Sequence, residues 1–370
     1  MTLVLNNEEI GELLSMPECM ARLEEAYRDL AEGRAVTRPR SDLYGPEDDP
    51  NQHYVFKTMD GLSPRHGVAV TRLNSDVIRW HAGPAGIRKD KRPLAGDGRW
   101  VGIVILFSMQ NAEPLAIMPD GVIQRMRVGA ANGLAARYLA PPDASVYALL
   151  GSGWQAGSQA MAMLAARPIR ELRVYSPTRA NRERFAAEMT DLLGIEVRAV
   201  DDPRTAVRGA DIVGMATDSI TPVVQVGWLE PHAHVSCIKE LELGDGVLER
   251  SALVVVHTRQ SRPANYLVGH GQQPIFAHDP HEALGGALQE TRKSHPTPTS
   301  RVDLEQQPDL GELVTGRVPL PPPGAMTCFV NTVGIGLQFA AIGSLAYERA
   351  RERGVGHEIP TEWFLETVHP

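Results

Sequence analysis

The stretch Val146–Gly157, VYALLGSGWQAG, decides how the rest of the chain is read. An apolar run meets Gly151 and Gly153, spaced one residue apart, and Ala156 follows three positions later. A G-x-G-x-x-A turn on its own is weak evidence, so its surroundings carry the weight. From residue 144 onward short apolar runs alternate with helical stretches: SVYALL, a helix over 154–167, ELRVYS, a helix over 179–192, EVRAV, a short helix near 203–208, then ADIVGMAT, HVSCI and ALVVV. This alternation predicts βαβ units, and so a doubly wound parallel sheet with helices on both faces. The glycine turn then closes the first strand and opens the first helix, which is the place a dinucleotide fingerprint requires. There Gly151 permits the tight bend, Gly153 lets the backbone approach a pyrophosphate and Ala156 lets helix and strand pack closely. The helix N-terminus adds free N–H groups and the positive end of a dipole. Trp154 and Gln155 in the turn, and Ala216 and Thr217 at the end of ADIVGMAT, join the glycines as cofactor-binding candidates.

The second strand of the series ends in VYSPTRANRERF. An Asp or Glu there would bind the ribose hydroxyls of NAD(H); Ser176 stands in its place, followed by Thr178, Arg179 and Arg182. Hydroxyl and guanidinium groups suit a 2′-phosphate, which favours NADP(H) and leaves NAD(H) possible. The competing reading makes Arg179 and Arg182 solvated helix charges.

Composition limits the alternatives. The 370 residues, 43% of them hydrophobic, suffice for two domains. A formal net charge of −8 argues against nucleic acid as a partner, because phosphate backbones attract clustered Lys and Arg. Cys19, Cys237 and Cys328 form no C-x-x-C pair, so neither a disulfide framework nor a cysteine metal site is expected, and a reducing cytoplasm fits. The N-terminus lacks the basic and apolar regions of a signal peptide. The uncharged stretch Cys328–Tyr347 is broken by Asn331, Thr332, Gln338, Ser344 and three glycines, and its second half reads as a buried helix, not a membrane span. No metal-binding spacing and no G-x-S-x-G elbow occurs.

Before the parallel series the pattern differs. Residues 8–32 predict two amphipathic helices split at Pro17, and 53–119 hold the strand-like runs HYVFKTM, HGVAVTRL, WVGIVILFS and EPLAIM. A charged, Gly/Pro-rich segment over 74–100 reads as a long loop, with Arg88, Lys89, Lys91 and Arg92 as a basic surface cluster. A helix follows over 121–140, stopped by Pro141 and Pro142. Residues 259–323 are polar with little periodicity, and a long helix closes the chain.

GIVILFSMQNAEPLAIMPDGVIQRMRVGAANGLAARYLAP followed by LLGSGWQAGSQAMAMLAARPIRELRVYSPTRANRERFAAEM, together with WLEPHAHVSCI, LGELVTGRV and MTCFVNTVGIGLQFAA, resembles the ornithine cyclodeaminase and mu-crystallin family. The resemblance runs over nearly the whole chain. It implies an antiparallel α+β domain for substrate and dimerisation, residues 1–127 and 325–370, around a Rossmann-type NAD(P) domain, 128–324. It further implies a homodimer and chemistry at the C–N bond of a small amino or imino acid. Members hold the substrate carboxylate with basic residues in three motifs, and the matching positions are Arg40 in TRPRS, Lys57 in YVFKTMDG and Arg127 in QRMRVGAANG; Arg38 competes with Arg40. Lys57 lies in an apolar strand, where alternation can turn it inward to act as a proton donor.

Two departures bear on the substrate. Cyclodeaminases carry an Asp shortly after the strand matching HVSCI, but here KELELG intervenes before Asp245, so that Glu240 or Lys239 stands in that space, Glu240 being a second candidate for the proton step. Members often carry an acidic pair where this chain has Leu337 and Gln338. Both departures count against ornithine. The reading is an NAD(P)-dependent oxidoreductase of imino or amino acids. A cyclodeaminase-like ammonia-lyase that recycles its cofactor, and a non-catalytic NADPH-binding partner protein, are the alternatives.

Overall fold

The computed structural model describes residues 1–49, 51–83, 86–93, 98–219, 221–260, 262–277, 280 and 300–366. The N-terminal elements are β1 (Thr2–Val4), α1 (Asn7–Leu13), α2 (Met16–Ala31), β2 (Val36–Thr37), β3 (Ser41–Pro46), β4 (Gln52–Ser63), β5 (Val68–Gly83), β6 (Gly86–Arg92), β7 (Val101–Ser108), β8 (Pro114–Pro119) and α3 (Gly121–Leu139). The parallel series follows as β9 (Val146–Leu150), α4 (Trp154–Ala166), β10 (Glu171–Tyr175), α5 (Arg179–Leu193), β11 (Glu196–Ala199), α6 (Pro203–Val207), β12 (Ile212–Met215), β13 (His234–Cys237), α7 (Val247–Arg250) and β14 (Leu253–Val256). Then come β15 (Ala264–Leu267), β16 (Ile275–Phe276), α8 (Leu310–Val314), β17 (Thr327–Val330), α9 (Gly336–Arg353) and β18 (His357–Ile359).

Seven parallel strands form one sheet in the order β11-β10-β9-β12-β13-β17-β14. Their short, fully buried apolar runs are what a sheet covered on both faces needs. One face packs on α4 and α5 through Ala156, Ala160, Phe185 and Met189. The other packs on α6 and α7 through Ala206, Val207, Val247 and Leu248. The doubly wound arrangement expected from the alternation is therefore present.

The second sheet runs β16-β15-β3-β4-β5-β7-β8-β1-β18, with β2 on β4 and β6 on β5; most pairs are antiparallel, while β1–β8 and β15–β3 are parallel. Its inner face, with Met59, Val70, Val104 and Met118, packs on α2, α3 and α9. At this seam α9 meets β4 backbone to backbone: a Cβ on Gly336 would stand 2.1 Å from the Asp60 carbonyl, and one on Gly61 2.6 Å from the Leu337 nitrogen. The opposite face keeps Leu43 and Tyr54 exposed and Phe56, Leu73, Ile103 and Ile105 only half-buried.

Three sequence expectations change. The segment 74–100 is not a long loop, because β5 continues to Gly83 and β6 pairs back along it. Arg72, Asn74 and Asp76 occupy the inward positions of β5, so the strand shows no apolar alternation although its period of two is intact. Of the basic cluster, the side chains of Arg88 and Lys89 lie outside the described residues, as does much of 259–323; within the latter, β15 and β16 extend the mixed sheet beside β3. The boundaries at 127/128 and 324/325 do not follow the sheets either. Residue 128 lies inside α3, β15 and β16 belong with the N-terminal strands, and β17 fills a slot between β13 and β14 in the parallel sheet.

Candidate active site

The order of the parallel sheet reverses between β9 and β12, and open α/β sheets bind ligands in the crevice beyond the carboxyl ends of such strands. Gly151 ends β9 with φ +119°, and a Cβ there would lie 2.2 Å from the Ala216 carbonyl oxygen at the end of β12. Conformation and space both demand glycine. Gly153 is different: its φ is −87°, and an added Cβ would meet no atom of the described residues within 4 Å. Nothing in the protein's own packing requires glycine there, whereas a phosphate laid against the turn would. No side chain caps α4, so its first N–H groups are available to such an anion. Trp154 is exposed at this helix start and Gln155 is half-buried behind it.

Ser152, between the glycines, donates a 2.7 Å hydrogen bond to the Ser176 hydroxyl at the end of β10. The pair joins the turn to the strand end where a ribose would lie; an x position in the fingerprint gives no sequence signal for it. Arg179 and Thr178 are exposed, and Arg179 pairs with Glu183 one helical turn on, at 2.7 Å. Arg182 turns inward, donating to the Ser176 carbonyl at 3.0 Å and pairing with Asp201. It braces the strand end, so of the two arginines Arg179 is the one left facing outward.

A residue missed in the sequence closes the crevice floor. Glu242 is fully buried and accepts from the Thr217 N–H and hydroxyl, both at 2.7 Å, and from the Ile238 and Lys239 N–H groups, both at 3.1 Å. It ties the end of β12 to the end of β13. Burial raises its pKa, opposed by the Lys239 charge and by these donors.

Of the carboxylate candidates, Arg40 and Lys57 are brought together through Asp42, and Arg127 lies near enough to Arg40 to feel its charge. Lys57, on the inward row of β4 with Val55 and Met59, is 8% exposed and lies 2.6 Å from Asp76 Oδ2. Lys91, from β6, reaches the other Asp76 oxygen at 2.9 Å. Burial would raise the Asp76 pKa, but the charges and hydrogen bonds of Lys57 and Lys91 outweigh it and hold it below its ordinary value. Arg40 grips Asp42 through Nε and Nη2, both at 2.8 Å, and Asp42 sits directly across from Lys57 in the β3–β4 register. Arg38 is mostly exposed and pairs with Asp60. Arg72 is neutralised by Asp120.

Arg127 is unlike these. It is 5% exposed, its guanidinium lies 5.1 Å from the Phe339 ring centroid, and Nη1 donates to Gln338 Oε1 at 2.9 Å. Gln338 in turn donates to the Tyr27 hydroxyl at 2.9 Å. Among the described residues no carboxylate pairs with Arg127. Burial, and next the like charge of Arg72, push its pKa down to about 9, which keeps it cationic at neutral pH. Gly334 makes room, since a Cβ there would lie 2.3 Å from Nη1. An acid at position 338 would cancel this charge; the amide orients the guanidinium and leaves the charge for another anion. Near it, His257 at the end of β14 is buried, and burial followed by the Arg127 charge lowers its pKa to about 3, so the ring is neutral. Glu240 is not drawn into this group. Half-buried, it lines a cavity of about 240 Å³ with Asp245, Glu249, Arg262, Asp303 and Glu305, and no described hydrogen bond or ion pair links it to Arg40, Lys57 or Arg127.

Residues 1–354 match the Ornithine cyclodeaminase/mu-crystallin family. A putative dehydrogenase of Rhizobium meliloti is 30% identical over 69% of this chain and 72% of its own. The alanine dehydrogenase of Archaeoglobus fulgidus is 26% identical over 97% and 98% of the two chains. The Thermococcus litoralis Delta(1)-pyrroline-2-carboxylate reductase, solved with NADH and L-proline, superimposes with a TM-score of 0.72 over 97% of this chain and 100% of that one, at 24% identity, and so shares the fold.

The Asp76 bridge has a measurable consequence. Because its folded pKa is depressed, its stabilisation is complete above the ordinary carboxylate value of 3.8 and is lost as pH falls below it. Asp76→Asn should cost about 3 kcal/mol at pH 7, as when one partner of a buried pair is removed, and should flatten the acid limb of the stability curve. Urea titrations from pH 2.5 to 7 check this; an unchanged acid limb in the variant would contradict it.

Proposed function

Because the chain belongs to the ornithine cyclodeaminase/mu-crystallin family, we propose that it is an NAD(P)-dependent oxidoreductase that interconverts a small imino acid and its amino acid at the C–N bond. The buried charge of Arg127, with no described carboxylate to cancel it, carries this reading, for it calls for a small anion in an otherwise closed place. A substrate carboxylate on Arg127, Arg40 and Lys57 supplies it, and the mixed-sheet residues form the substrate part of the molecule. The residues of the crevice fit a dinucleotide: Gly151, Gly153, Trp154 and Gln155 with the α4 N-terminus at the pyrophosphate, Ala216 and Thr217 along the wall made by β12, and Ser176, Thr178 and Arg179 at the adenosine ribose. That group, when bound, exchanges a hydride with the substrate's carbon.

The chain's own work is positioning and proton handling. Arg127, fixed by Gln338 and Phe339, sets where the carboxylate lies and thereby which carbon faces the crevice. Lys57, held in place by Asp76, hands a proton to the substrate nitrogen. Lys91 is 40% exposed on the same carboxylate and gives that proton a route to solvent. Glu240, an alternative donor by sequence, is the weaker candidate because it faces the acidic cavity. The amide at Gln338, and the absence of an Asp between Ile238 and Asp245, favour imine reduction over ornithine cyclisation. A cytoplasmic site fits three buried, unpaired cysteines.

Reduction of pyrroline-2-carboxylate and of pyruvate with ammonia, followed at 340 nm with NADPH or NADH, tests the reaction. Arg127→Ala should lower kcat/KM by about one to two decades, the worth of a charge-assisted contact. Full activity in that variant, or ammonia release from ornithine exceeding imine reduction, would overturn the assignment.

NADPH should bind more tightly than NADH, and Arg179→Ala should erase most of the difference. Fluorescence titration decides, and equal affinities in the wild type would refute the preference.

The half-exposed apolar face of the mixed sheet, with Leu43, Tyr54, Ile103 and Ile105, is the surface on which two chains would pair about a twofold axis. Light scattering at micromolar concentration should give twice the chain mass of 40.3 kDa, and a monomeric mass would refute pairing.

A further inference from the structure

Two residues before Arg127, α3 carries a second guanidinium without an acidic partner. Arg125 lies with Cζ 4.3 Å from the Trp154 ring centroid, and its Nη2 sits 2.1 Å from where a Cβ on Gly157 would be. Trp154 and Gly157 are three residues apart on the first turn of α4, so they share a face, and Arg125 lies flat against it. The Nε–H is buried with no hydrogen-bond partner, and among the described residues no carboxylate or carbonyl accepts from any of its donors. The half-buried arginines Arg22, Arg40 and Arg173 all pair with carboxylates, and Arg167 is ringed by carbonyls. Successive helix residues are about 100° apart, so two positions put Arg125 and Arg127 on nearly opposite sides of α3. Arg127 faces Gly334 and Gln338, whereas Arg125 faces the start of α4.

We propose that Arg125 is a binding residue for the pyrophosphate of the dinucleotide, held ready by the Trp154 ring and completing the anion site begun by the N–H groups of α4. The inference rests on the dinucleotide reading of the crevice. It explains why a tryptophan stands at the first helical position and why Gly157, inside a helix, has no side chain: the ring supports the guanidinium plane and the missing Cβ admits it. A cation kept partly out of water without a counter-charge weakens the free protein and is compensated only when an anion arrives.

Calorimetric titration of wild type, Arg125→Gln and Arg125→Lys with NADP⁺, adenosine diphosphate, adenosine and pyrroline-2-carboxylate tests the proposal, alongside Tm without ligand. In Arg125→Gln, NADP⁺ and adenosine diphosphate should bind about 10 to 100-fold more weakly with a shallower salt dependence, adenosine should be unaffected, and the ligand-free Tm should hold or rise. Arg125→Lys should fall between, since it keeps the charge and loses the planar stack. An unchanged NADP⁺ affinity in Arg125→Gln overturns the assignment while leaving the dinucleotide reading intact. Failure of the wild type to bind any of the pyrophosphate ligands overturns both. If imine affinity falls instead of nucleotide affinity, Arg125 belongs to the substrate and the proposal is wrong.

Discussion

The contact on which the rest depends is the approach of α3 to α4. A Cβ on Gly129 would lie 2.5 Å from the Ser158 carbonyl oxygen, and one on Gly133 2.9 Å from Ala162. The helices therefore touch through bare backbone, at a separation no larger residue would allow. A chain of buried amides seals the seam: Asn132 donates to Gln159 at 2.7 Å and accepts from Asn331 at 2.8 Å. Since α3 carries Arg125 and Arg127, neither ion-paired among the described residues, and α4 begins at the glycine turn, the distance from the proposed carboxylate site to the proposed pyrophosphate site is set by helix geometry. Loops have little part in it.

Electrostatics then sorts the cations. Arg40, Arg72 and the Lys57–Lys91 pair each share a buried aspartate, while Arg127 leans on a glutamine and an aromatic ring. Coulomb pairing fixes the first group in place with little net charge. Amide and ring contacts fix Arg127 and leave it charged, and an uncancelled charge in a closed place discriminates among ligands more sharply than a paired one.

What was legible in the sequence was whatever depends on chain period and glycine chemistry: the βαβ series, the turn at Gly151–Ala156, α3 and the long last helix. What was not legible depends on partners distant in sequence. The part of β5 beyond Leu73 reads as a loop because Asn74 and Asp76 face inward, and Lys57, Lys91 and the Val101 carbonyl make that tolerable. Glu242 looks like one more loop charge until Thr217 and the Ile238 N–H are brought to it. In the sequence Gln338 is a polar break in an apolar run and a missing acid; its role needs Arg127, more than two hundred residues away. Gly129 and Gly133 offered no signal apart from small size in a helix.

The strand β15 leaves the parallel sheet after β14 and pairs with β3 from Ala264–Ser41 to Leu267–Tyr44 before the chain returns as β17. The chain thus passes between the two sheets four times: through α3, into β15, back to β17, and out again through α9. A protein with two such crossings can open its cleft like a book about a single spine. With four, and with one of them stitched into a sheet edge, a wide swing would have to unzip β15 from β3. Motion that keeps this ladder intact is limited to small sliding displacements and to rearrangement of exposed side chains such as Trp154.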